Sequence, residues 1–409
     1  MGRQALLGAL LEHNGRLGAS TAIWGEGAAA AAEQAVAAVA GALPRCHREP
    51  TATALRLDTP LDLAYAVGCD TPERLHFPAQ GGLPSLETTP LTLEVALLKE
   101  AVVREWQGYH LLERQGAIVA DGSSAYWPLV GGVLSGAGVL APALPRRREE
   151  LAEAFLLCDD LDTTNFCHFI CDLLPKIALA CECRQRIPLV IEPPSEPFQR
   201  ELLAMVSERY GHPVVPLEAG LELAVERLFY LRRAGHTHPL LRCSGLAIGW
   251  VRELVEARPE RAPAGSVLYL RRQRRRLLNE EELIGALQRH TPQLQVVDAL
   301  DGLAVRAQAE LVGRHRWLVG PHGAGFTHLL FAREAPQAAL ELMAEGNGSL
   351  TFALISGHLG LDHAVHVGTA VATDNGPNYP DLEVDVEAVL GLLRQPHQPH
   401  WPAVERPER

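Results

Sequence analysis

Residues 316–343, RWLVGPHGAGFTHLLFAREAPQAALELM, constrain the fold of this chain more than any other stretch. The apolar run 317–319 predicts a short buried strand, and three glycines and a proline follow it in residues 320–325. Apolar spacing then predicts a helix over 326–332, and residues 338–343 predict a second strand. A glycine-rich turn between a strand and a helix directs backbone N–H groups outward, as a phosphate site requires.

The spacing of these glycines matches neither GxGxxG nor a P-loop. A tight turn that needs glycine only for its backbone geometry is therefore an equally good explanation at this point.

Composition narrows the class of protein. The chain has 409 residues, 47% hydrophobic and 21% charged, which is typical of a globular protein of two or three domains. The net charge of −12 gives no support to a nucleic-acid partner, which favours a basic face. His13, Asn14 and Arg16 interrupt the segment where a secretory signal would be apolar, so we expect a cytoplasmic protein.

The eight cysteines show no repeated CxxC spacing, which indicates free thiols in a long chain of this kind. Cys167 and Cys171 lie four residues apart and could share a metal, but Cys181 and Cys183 point to different sides of a helix. We therefore predict no metal and interpret these cysteines as small buried apolar residues. A zinc-stabilised interaction protein remains a weaker alternative.

Four segments are predicted along the chain. Residues 1–90 are an N-terminal extension of uncertain role, in which 21–43 resembles a βα unit without the acidic partner of a dinucleotide site. Residues 91–257 begin with antiparallel strands and continue with alternating strands and helices, including strand 188–191 and helix 197–210. The charged run 146–150 is expected to be a solvated helix start.

Residues 258–380 form the third segment, and 381–409 a C-terminal helix and disordered tail. The third segment alternates regularly between strands (267–270, 294–297, 317–319) and helices (279–289, 303–311). Asn279 is expected to cap a helix, with Glu282 completing a capping box. The glycine loop then follows a strand of a βαβαβ unit, where ligands bind in such sheets.

Two other features could carry chemistry. His168 and Asp172 lie four residues apart on a helix predicted to be capped by Thr163, Thr164 or Asn165. From the residues alone, an internal hydrogen bond is the better explanation of that pair. Residues 271–276, RRQRRR, follow a strand and would form a strong anion clamp, because guanidinium forks bind phosphate bidentately. A solvated basic loop is the alternative.

Three segments, NFCHFICDLLPK, LYLRRQRRRLLNEEEL and GPHGAGFTHLLFA, are together similar to family-61 glycosyltransferases, including bacterial capsular polysaccharide enzymes. The resemblance implies an α/β, GT-B-like fold: two Rossmann-like domains that face a cleft, with an added N-terminal βα and antiparallel β region. It also implies an inverting, metal-independent hexosyl- or pentosyltransferase without a cofactor. The donor would be a nucleotide diphosphate sugar, and the acceptor the hydroxyl of a saccharide or lipid-linked saccharide.

The resemblance also assigns residues. His168 and Asp172 would be catalytic, and Asn279 and Glu341 would face the nucleotide or its ribose. The donor diphosphate would contact residues of both loops: Arg271, Arg272, Arg275, Arg276, His322, Gly323, Ala324, Gly325 and Thr327. Four positions depart from the family pattern, which usually has serine at Arg271, asparagine at His328, and tyrosine and tryptophan at Phe166 and Phe169.

Three questions stay open at this point. Asp160 and Asp162 form a D-x-D, the pattern with which metal-dependent glycosyltransferases hold Mn²⁺ or Mg²⁺. A non-catalytic module that binds a nucleotide sugar is a further alternative. An acceptor on a lipid carrier would require peripheral association at the inner face of the membrane, and surface polysaccharide synthesis is the expected setting.

Overall fold

The computed structural model describes residues 46–47, 54–57, 93–106, 109–114, 117–119, 145–158, 163–183, 186–231, 245–258, 263, 265–331, 338–345, 351–359, 361–373 and 380–394. They divide into two compact units, residues 46–231 and residues 245–394. The predicted βα unit at 21–43, Asp160, Asp162 and the tail beyond residue 394 lie outside the described residues.

Nine strands of the described residues form the sheet of the first unit, in the order β1-β5-β4-β3-β9-β6-β7-β8, with β2 paired to β3. The predicted antiparallel strands are confirmed as β3, β4 and β5, whereas β6, β7 and β8 run parallel to one another. The strand bounds are β1 Cys46–His47, β2 Ala54–Leu57, β3 Leu93–Trp106, β4 Tyr109–Arg114, β5 Ala117–Val119, β6 Arg147–Leu156, β7 Leu189–Ile191, β8 Val214–Pro216 and β9 Leu221–Leu231.

Helices connect the parallel strands of this sheet. After β6 come α1 (Phe166–His168), a π-helical turn (Phe169–Leu173) and α2 (Leu174–Cys183); α3 (Pro197–Tyr210) follows β7. Leu112 of β4 shares one buried apolar cluster with Ala154 of β6 and Val190 of β7. One apolar core therefore extends across the sheet from β4 to β7, although β4 and β6 are not neighbours in the strand order.

The charged run at 146–150 was predicted to start a helix, and that prediction is wrong, because it is the exposed first half of β6. The strand accommodates these charges because acidic residues of neighbouring segments form ion pairs with its arginines. Arg148 pairs with Glu222 of β9 at 3.3 Å, and Arg147 pairs with Glu218 at 3.3 Å. Pairing partners about seventy residues away cannot be read from a local pattern.

The second unit is a doubly wound α/β sheet of order β11-β10-β12-β13-β14-β15, parallel except for β15. Its alternation of strands and helices confirms the prediction for this region. The strands are β10 Val267–Leu270, β11 Leu294–Val297, β12 Trp317–Pro321, β13 Ala338–Ala344, β14 Asp362–Val371 and β15 Asp381–Glu383. The helices are α4 Gly245–Val255, α5 Glu280–His290, α6 Val305–Gly313, α7 Thr351–Leu359 and α8 Val386–Arg394.

Helix α4 falls in the second unit, ahead of the boundary at residue 257 that the sequence suggests. Two local predictions in this unit are wrong. The α-helix expected at 326–332 is a 3₁₀ helix, Ala324–Phe331, with residues 326–331 all buried. The tight turn begins with an i→i+3 bond, in which Phe326 N–H donates to the carbonyl oxygen of Gly323 at 3.0 Å. Asn279 precedes α5 without a side-chain capping bond, because both ends of its amide bond the backbone of Val384, at 2.8 and 3.1 Å.

The strand order places two loops side by side. The chain passes from β10 to β11 on one flank and then returns to β12 on the other, so the order reverses between β10 and β12. In open α/β sheets, ligands bind outside the carboxyl ends of the strands at such a switch point. The loop that follows β10 carries the arginines, and the loop that follows β12 carries the glycines.

Glycine at position 320 lets these two strands approach closely. A Cβ at Gly320 would lie 2.6 Å from the carbonyl oxygen of Leu270, the last residue of β10. Such a contact is shorter than van der Waals packing allows, so a larger residue would push the strands apart.

Within the described part of the chain, no helix is both long and apolar enough to cross a membrane.

Candidate functional site

The arginines after β10 differ sharply in their surroundings. Arg271 contacts three carboxylates, those of Glu280 (3.1 Å), Glu281 (2.7 Å) and Asp298 (3.4 Å). These carboxylates neutralise the guanidinium, which is therefore poorly suited to bind an external phosphate. The diphosphate role predicted for Arg271 stays a prediction.

Arg276 is also engaged within the protein. Its backbone N–H and guanidinium donate to the carboxylate of Asp381 at 2.7 to 3.3 Å. Asp381 is buried, with 1% of its surface exposed, and begins β15. The contact ties the arginine loop to the edge of the sheet, so Arg276 has an evident structural role.

Arg272 is different from both. Its guanidinium donates to the carbonyl oxygen of His322, and among the described residues no carboxylate pairs with it. Burial, and secondly the charge of Arg275, lower the pKa of the Arg272 guanidinium to about 10. It remains protonated at neutral pH, so a partly buried positive charge lies at the switch point with a second guanidinium nearby.

Gly323 makes room for that guanidinium. A Cβ at position 323 would lie 2.4 Å from Nη1 and 2.5 Å from Cζ of Arg272. The glycine is therefore required by the approach of a side chain from the neighbouring loop, which the turn explanation offered by the sequence did not anticipate. The arginine run and the glycine loop form one structure.

His322 is held by a buried carboxylate. Its Nδ1 bonds Oε1 of Glu341, whose Oε2 lies 3.2 Å from Nε2 of His363. Nδ1 of His363 lies 2.9 Å from the hydroxyl of Ser356. A carboxylate only accepts, so both histidines donate to it, and in neutral His363 the other nitrogen accepts from Ser356.

This network determines the state of Glu341. Burial alone would raise the pKa of the Glu341 carboxyl, but the charge and hydrogen bond of His322, together with His363, outweigh burial and hold that pKa at about 2. Glu341 is thus a carboxylate that fixes His322 through Nδ1 and leaves Nε2 as the remaining nitrogen of a ring that is 13% exposed. Both carboxylate oxygens are occupied, so the predicted ribose contact would require them to be shared.

The remaining loop positions are less accessible. Thr327 is fully buried, and its Oγ1 has no hydrogen-bond partner among the described residues. Ala324 and Gly325 are partly exposed, and a Cβ at Gly325 would lie 2.8 Å from Cδ1 of Leu270. Both ends of the Asn279 amide are occupied by Val384, as described above. Ala324 therefore remains open to a ligand, whereas Thr327 would have to move to reach one.

His328, which stands where the family pattern usually has asparagine, lies beneath this loop. Its Nδ1 is 2.9 Å from the carbonyl oxygen of Gly325, and its Nε2 is 2.7 Å from Oε1 of Gln308. Burial lowers the pKa of His328 to about 4, against the opposing effect of the Gly325 hydrogen bond. The ring is therefore neutral at neutral pH and supports the loop from inside.

The other predicted pair lies in the first unit. Asn165 caps the helix through its Oδ1, which accepts from the backbone N–H of Cys167 at 2.9 Å. Nδ1 of His168 lies 2.8 Å from Oδ2 of Asp172, which is 1% exposed, whereas His168 is 28% exposed. The predicted i,i+4 contact is confirmed, and a buried carboxylate again orients a more exposed histidine.

Pro175 accounts for the irregular helix at this pair. Proline has no N–H to donate, and its ring would clash with the carbonyl oxygen four residues earlier in a regular α-helix. The π-helical turn Phe169–Leu173 widens the helix just before it. Single π turns inside helices are frequent at functional sites.

The cysteines give no support to the predicted alternative of a zinc cluster on this helix. Cys167, Cys171 and Cys181 form no disulfide. In the part of the chain that the structure describes, no group of three metal-binding side chains includes them. The side chain of Cys183 is outside the described residues.

With this geometry established, comparison with known proteins identifies a family resemblance. Residues 166–338 match the Glycosyltransferase 61 family. The matched segment contains the His168–Asp172 pair, the arginine loop and the glycine loop, so the resemblance predicted from the sequence is confirmed. It supports a glycosyltransferase, which acts on a sugar donor and an acceptor. No curated protein matches the chain.

Several residues of the site were missed in the sequence. His363 and Ser356, which extend the network from Glu341, follow no motif. Parallel pairing of β13 and β14 brings His363 beside Glu341, and Ser356 reaches His363 from helix α7. Asp381 was missed because it lies 105 residues from Arg276. A buried acid beside an arginine run has no local signature.

Proposed function

We propose that the protein is an inverting, metal-independent glycosyltransferase that transfers a sugar from a nucleoside diphosphate sugar to a hydroxyl acceptor. The expected setting is synthesis of a capsular or other surface polysaccharide. The proposal includes a GT-B-like fold, a donor site in the second unit, and a saccharide or lipid-linked saccharide acceptor.

One observation carries the donor site. Arg272 brings a partly buried guanidinium to the topological switch point, among the described residues no carboxylate neutralises it, and Arg275 adds like charge. Partial removal of this cation from water costs free energy, and an anion in the site would offset that cost. A diphosphate would supply that anion.

The chemistry follows from this charge. Inversion requires a single displacement at the anomeric carbon, in which the acceptor oxygen bonds that carbon as the bond to the donor diphosphate breaks. Fixed positive charge stabilises the negative charge that develops on the leaving diphosphate. Arg272 supplies it without a metal, and His322, held through Nδ1 by Glu341, would donate to the diphosphate from Nε2 when protonated.

The acceptor hydroxyl must also lose a proton. We assign that step to His168, with Asp172 as the group that orients it, because the 2.8 Å contact with a buried carboxylate fixes the ring of a histidine that is 28% exposed. Loss of Asp172 would leave the imidazole free to rotate and to change tautomer. Asp172→Asn should therefore lower kcat by at least about tenfold.

The donor site is tested by nucleotide-sugar binding. A panel of nucleoside diphosphate sugars is screened by thermal stabilisation and calorimetry with wild type, Arg272→Ala and Arg274→Ala. Arg274 is the matched control because it is an exposed arginine of the same loop. We expect Arg272→Ala to weaken donor binding by roughly tenfold to a hundredfold, as for a lost charge-assisted contact, and Arg274→Ala to change it little.

Equal binding by wild type and Arg272→Ala would contradict the donor site. Tight binding by wild type without hydrolysis or transfer would instead favour the non-catalytic binding module. Turnover that is lost in EDTA and restored by Mn²⁺ would contradict metal independence.

A further inference from the structure

A second cluster of reactive side chains lies in the first unit, outside the site described above. His110 is the second residue of β4, Cys158 follows β6, and Glu192 follows β7 directly. The imidazole nitrogen, the thiol sulfur and a carboxylate oxygen of these residues all lie within 4.8 Å of one another. His110 is buried, and the other two residues are partly exposed.

The backbone explains why they converge. Strands β6 and β7 pair in parallel, with Leu156 opposite Val190, so Cys158 and Glu192 emerge at the same edge of the sheet. The thiol of Cys158 lies 3.8 Å from the carbonyl oxygen of Val190. His110 of β4 lies at the same edge, although β3 and β9 stand between β4 and β6 in the strand order.

We propose that His110, Cys158 and Glu192 bind a zinc ion. Imidazole, thiolate and carboxylate are the three side-chain ligands that zinc takes in proteins, at about 2.0 to 2.3 Å. Two ligand atoms on a tetrahedral zinc lie roughly 3.5 Å apart, so a closure of about 1 Å by side-chain rotation brings the three into place. Water or a further group completes the fourth position.

Such an ion would have a structural consequence. Strands β4 and β6 are separated in the sheet by β3 and β9, so no backbone ladder joins them. A zinc ion would link the antiparallel strand β4 directly to the carboxyl edge of the parallel strands. His110 and Cys158 lie outside the family match at 166–338, so the family pattern does not assign this site.

The test measures zinc and not activity. Full-length protein is stripped with chelator, loaded with zinc, desalted and analysed for metal, as wild type, His110→Ala, Cys158→Ser and the control Cys181→Ser. Cys181 is a partly exposed cysteine of the same unit that forms no disulfide. We expect one zinc fewer in His110→Ala and Cys158→Ser than in wild type and the control.

Equal zinc content in all four proteins would overturn the proposal. Because a variant can fail to fold, a second measurement uses only wild type. Iodoacetamide labelling is followed at each cysteine by mass spectrometry, with and without zinc. Zinc should slow the labelling of Cys158 by at least about tenfold and leave Cys181 unchanged, because a zinc-bound thiolate is a weaker nucleophile. An unchanged rate at Cys158, as expected for a thiol activated by His110 alone, would overturn the zinc site.

This inference is independent of the proposed function. Activity lost in chelator and restored by zinc alone would point to the His110–Cys158–Glu192 cluster, whereas restoration by Mn²⁺ or Mg²⁺ would point to an ion on the donor diphosphate.

Discussion

Arg271 and Arg272 are adjacent in the chain and opposite in their surroundings. Arg271 contacts three carboxylates, whereas Arg272 crosses to the next loop and reaches His322 beside Gly323. Side chains of successive residues in an extended segment point to opposite sides. Neighbouring positions in the sequence therefore hold an arginine with a structural role and a candidate phosphate ligand.

Gly323→Ala should separate donor binding from stability. The added methyl group would overlap the Arg272 guanidinium at 2.4 Å, and the end of a flexible side chain moves at little cost in free energy. We expect donor affinity to fall by about tenfold or more, with a change of less than about 1 kcal/mol in the free energy of unfolding. Calorimetry with the donor and denaturant titration measure the two quantities, and unchanged donor affinity would contradict the role of Arg272.

His328 should make stability depend on pH. Its folded-state pKa of about 4 is depressed from 6.5, so the unfolded chain binds a proton that the folded protein does not. The stability that His328 contributes through this difference in proton binding is fully present above about pH 6.5 and is lost as pH falls toward 4. At about 1.4 kcal/mol per pKa unit, it amounts to about 3 kcal/mol.

The pH prediction is tested with His328→Asn, which places at this position the residue that the family pattern usually has. Denaturant unfolding of wild type and variant is compared between pH 7 and pH 4. We expect a shallower loss of stability in the variant, whatever its stability at pH 7. Parallel curves would show that His328 does not titrate as described. Burial lowers the pKa of His315 and His366 in the same direction, so part of the slope will remain.

At the scale of elements, the sequence predicts those whose signals are local. Strands β10 and β11 and helix α3 are predicted to the residue, because polar or turn residues bound each apolar pattern. Strand β6 was missed, because its charges are matched by β9. In the site, the two loops and the His168–Asp172 contact could be predicted from the sequence. Other features depend on pairing between distant strands. These are the contact of Arg272 with the glycine loop, the hydrogen bonds of Glu341 and the ion pair between Arg276 and Asp381.

Gly320 and Gly391 provide a matched pair of substitutions to alanine. A methyl group at Gly320 meets the backbone oxygen of Leu270 at 2.6 Å, and backbone cannot move aside without disturbing the pairing of β10 and β12. Gly391 lies in α8 with nothing within 4 Å of an added Cβ. We expect Gly320→Ala to destabilise by about 1 to 3 kcal/mol and Gly391→Ala to stabilise by up to about 1 kcal/mol.

Denaturant titration gives both values. If Gly320→Ala left the free energy of unfolding unchanged, β10 and β12 could separate at the switch point without loss of stability. That result would contradict the need for their close approach.

At the scale of the whole molecule, the proposal assigns donor binding to the second unit. A bound nucleoside diphosphate sugar should slow amide hydrogen exchange in residues 271–276 and 322–325, which follow β10 and β12. Hydrogen–deuterium exchange with mass spectrometry measures this, with Arg272→Ala under the same conditions as the control. Protection confined to residues 46–231 would place the donor in the first unit and contradict the assignment.

The pairing of Arg271 and Arg276 with acids has a consequence for selectivity. The loop 271–276 has five arginines in the sequence, yet two of them are neutralised internally, and the chain around it carries a net charge of −12. A long polyanion would meet the net negative charge of the protein and would gain little from the few arginines that are not paired with acids. A diphosphate needs only the short reach of Arg272 and its neighbour. For the proposed donor site we therefore expect a preference for a short anion, and salt should weaken donor binding less than five unpaired arginines would suggest.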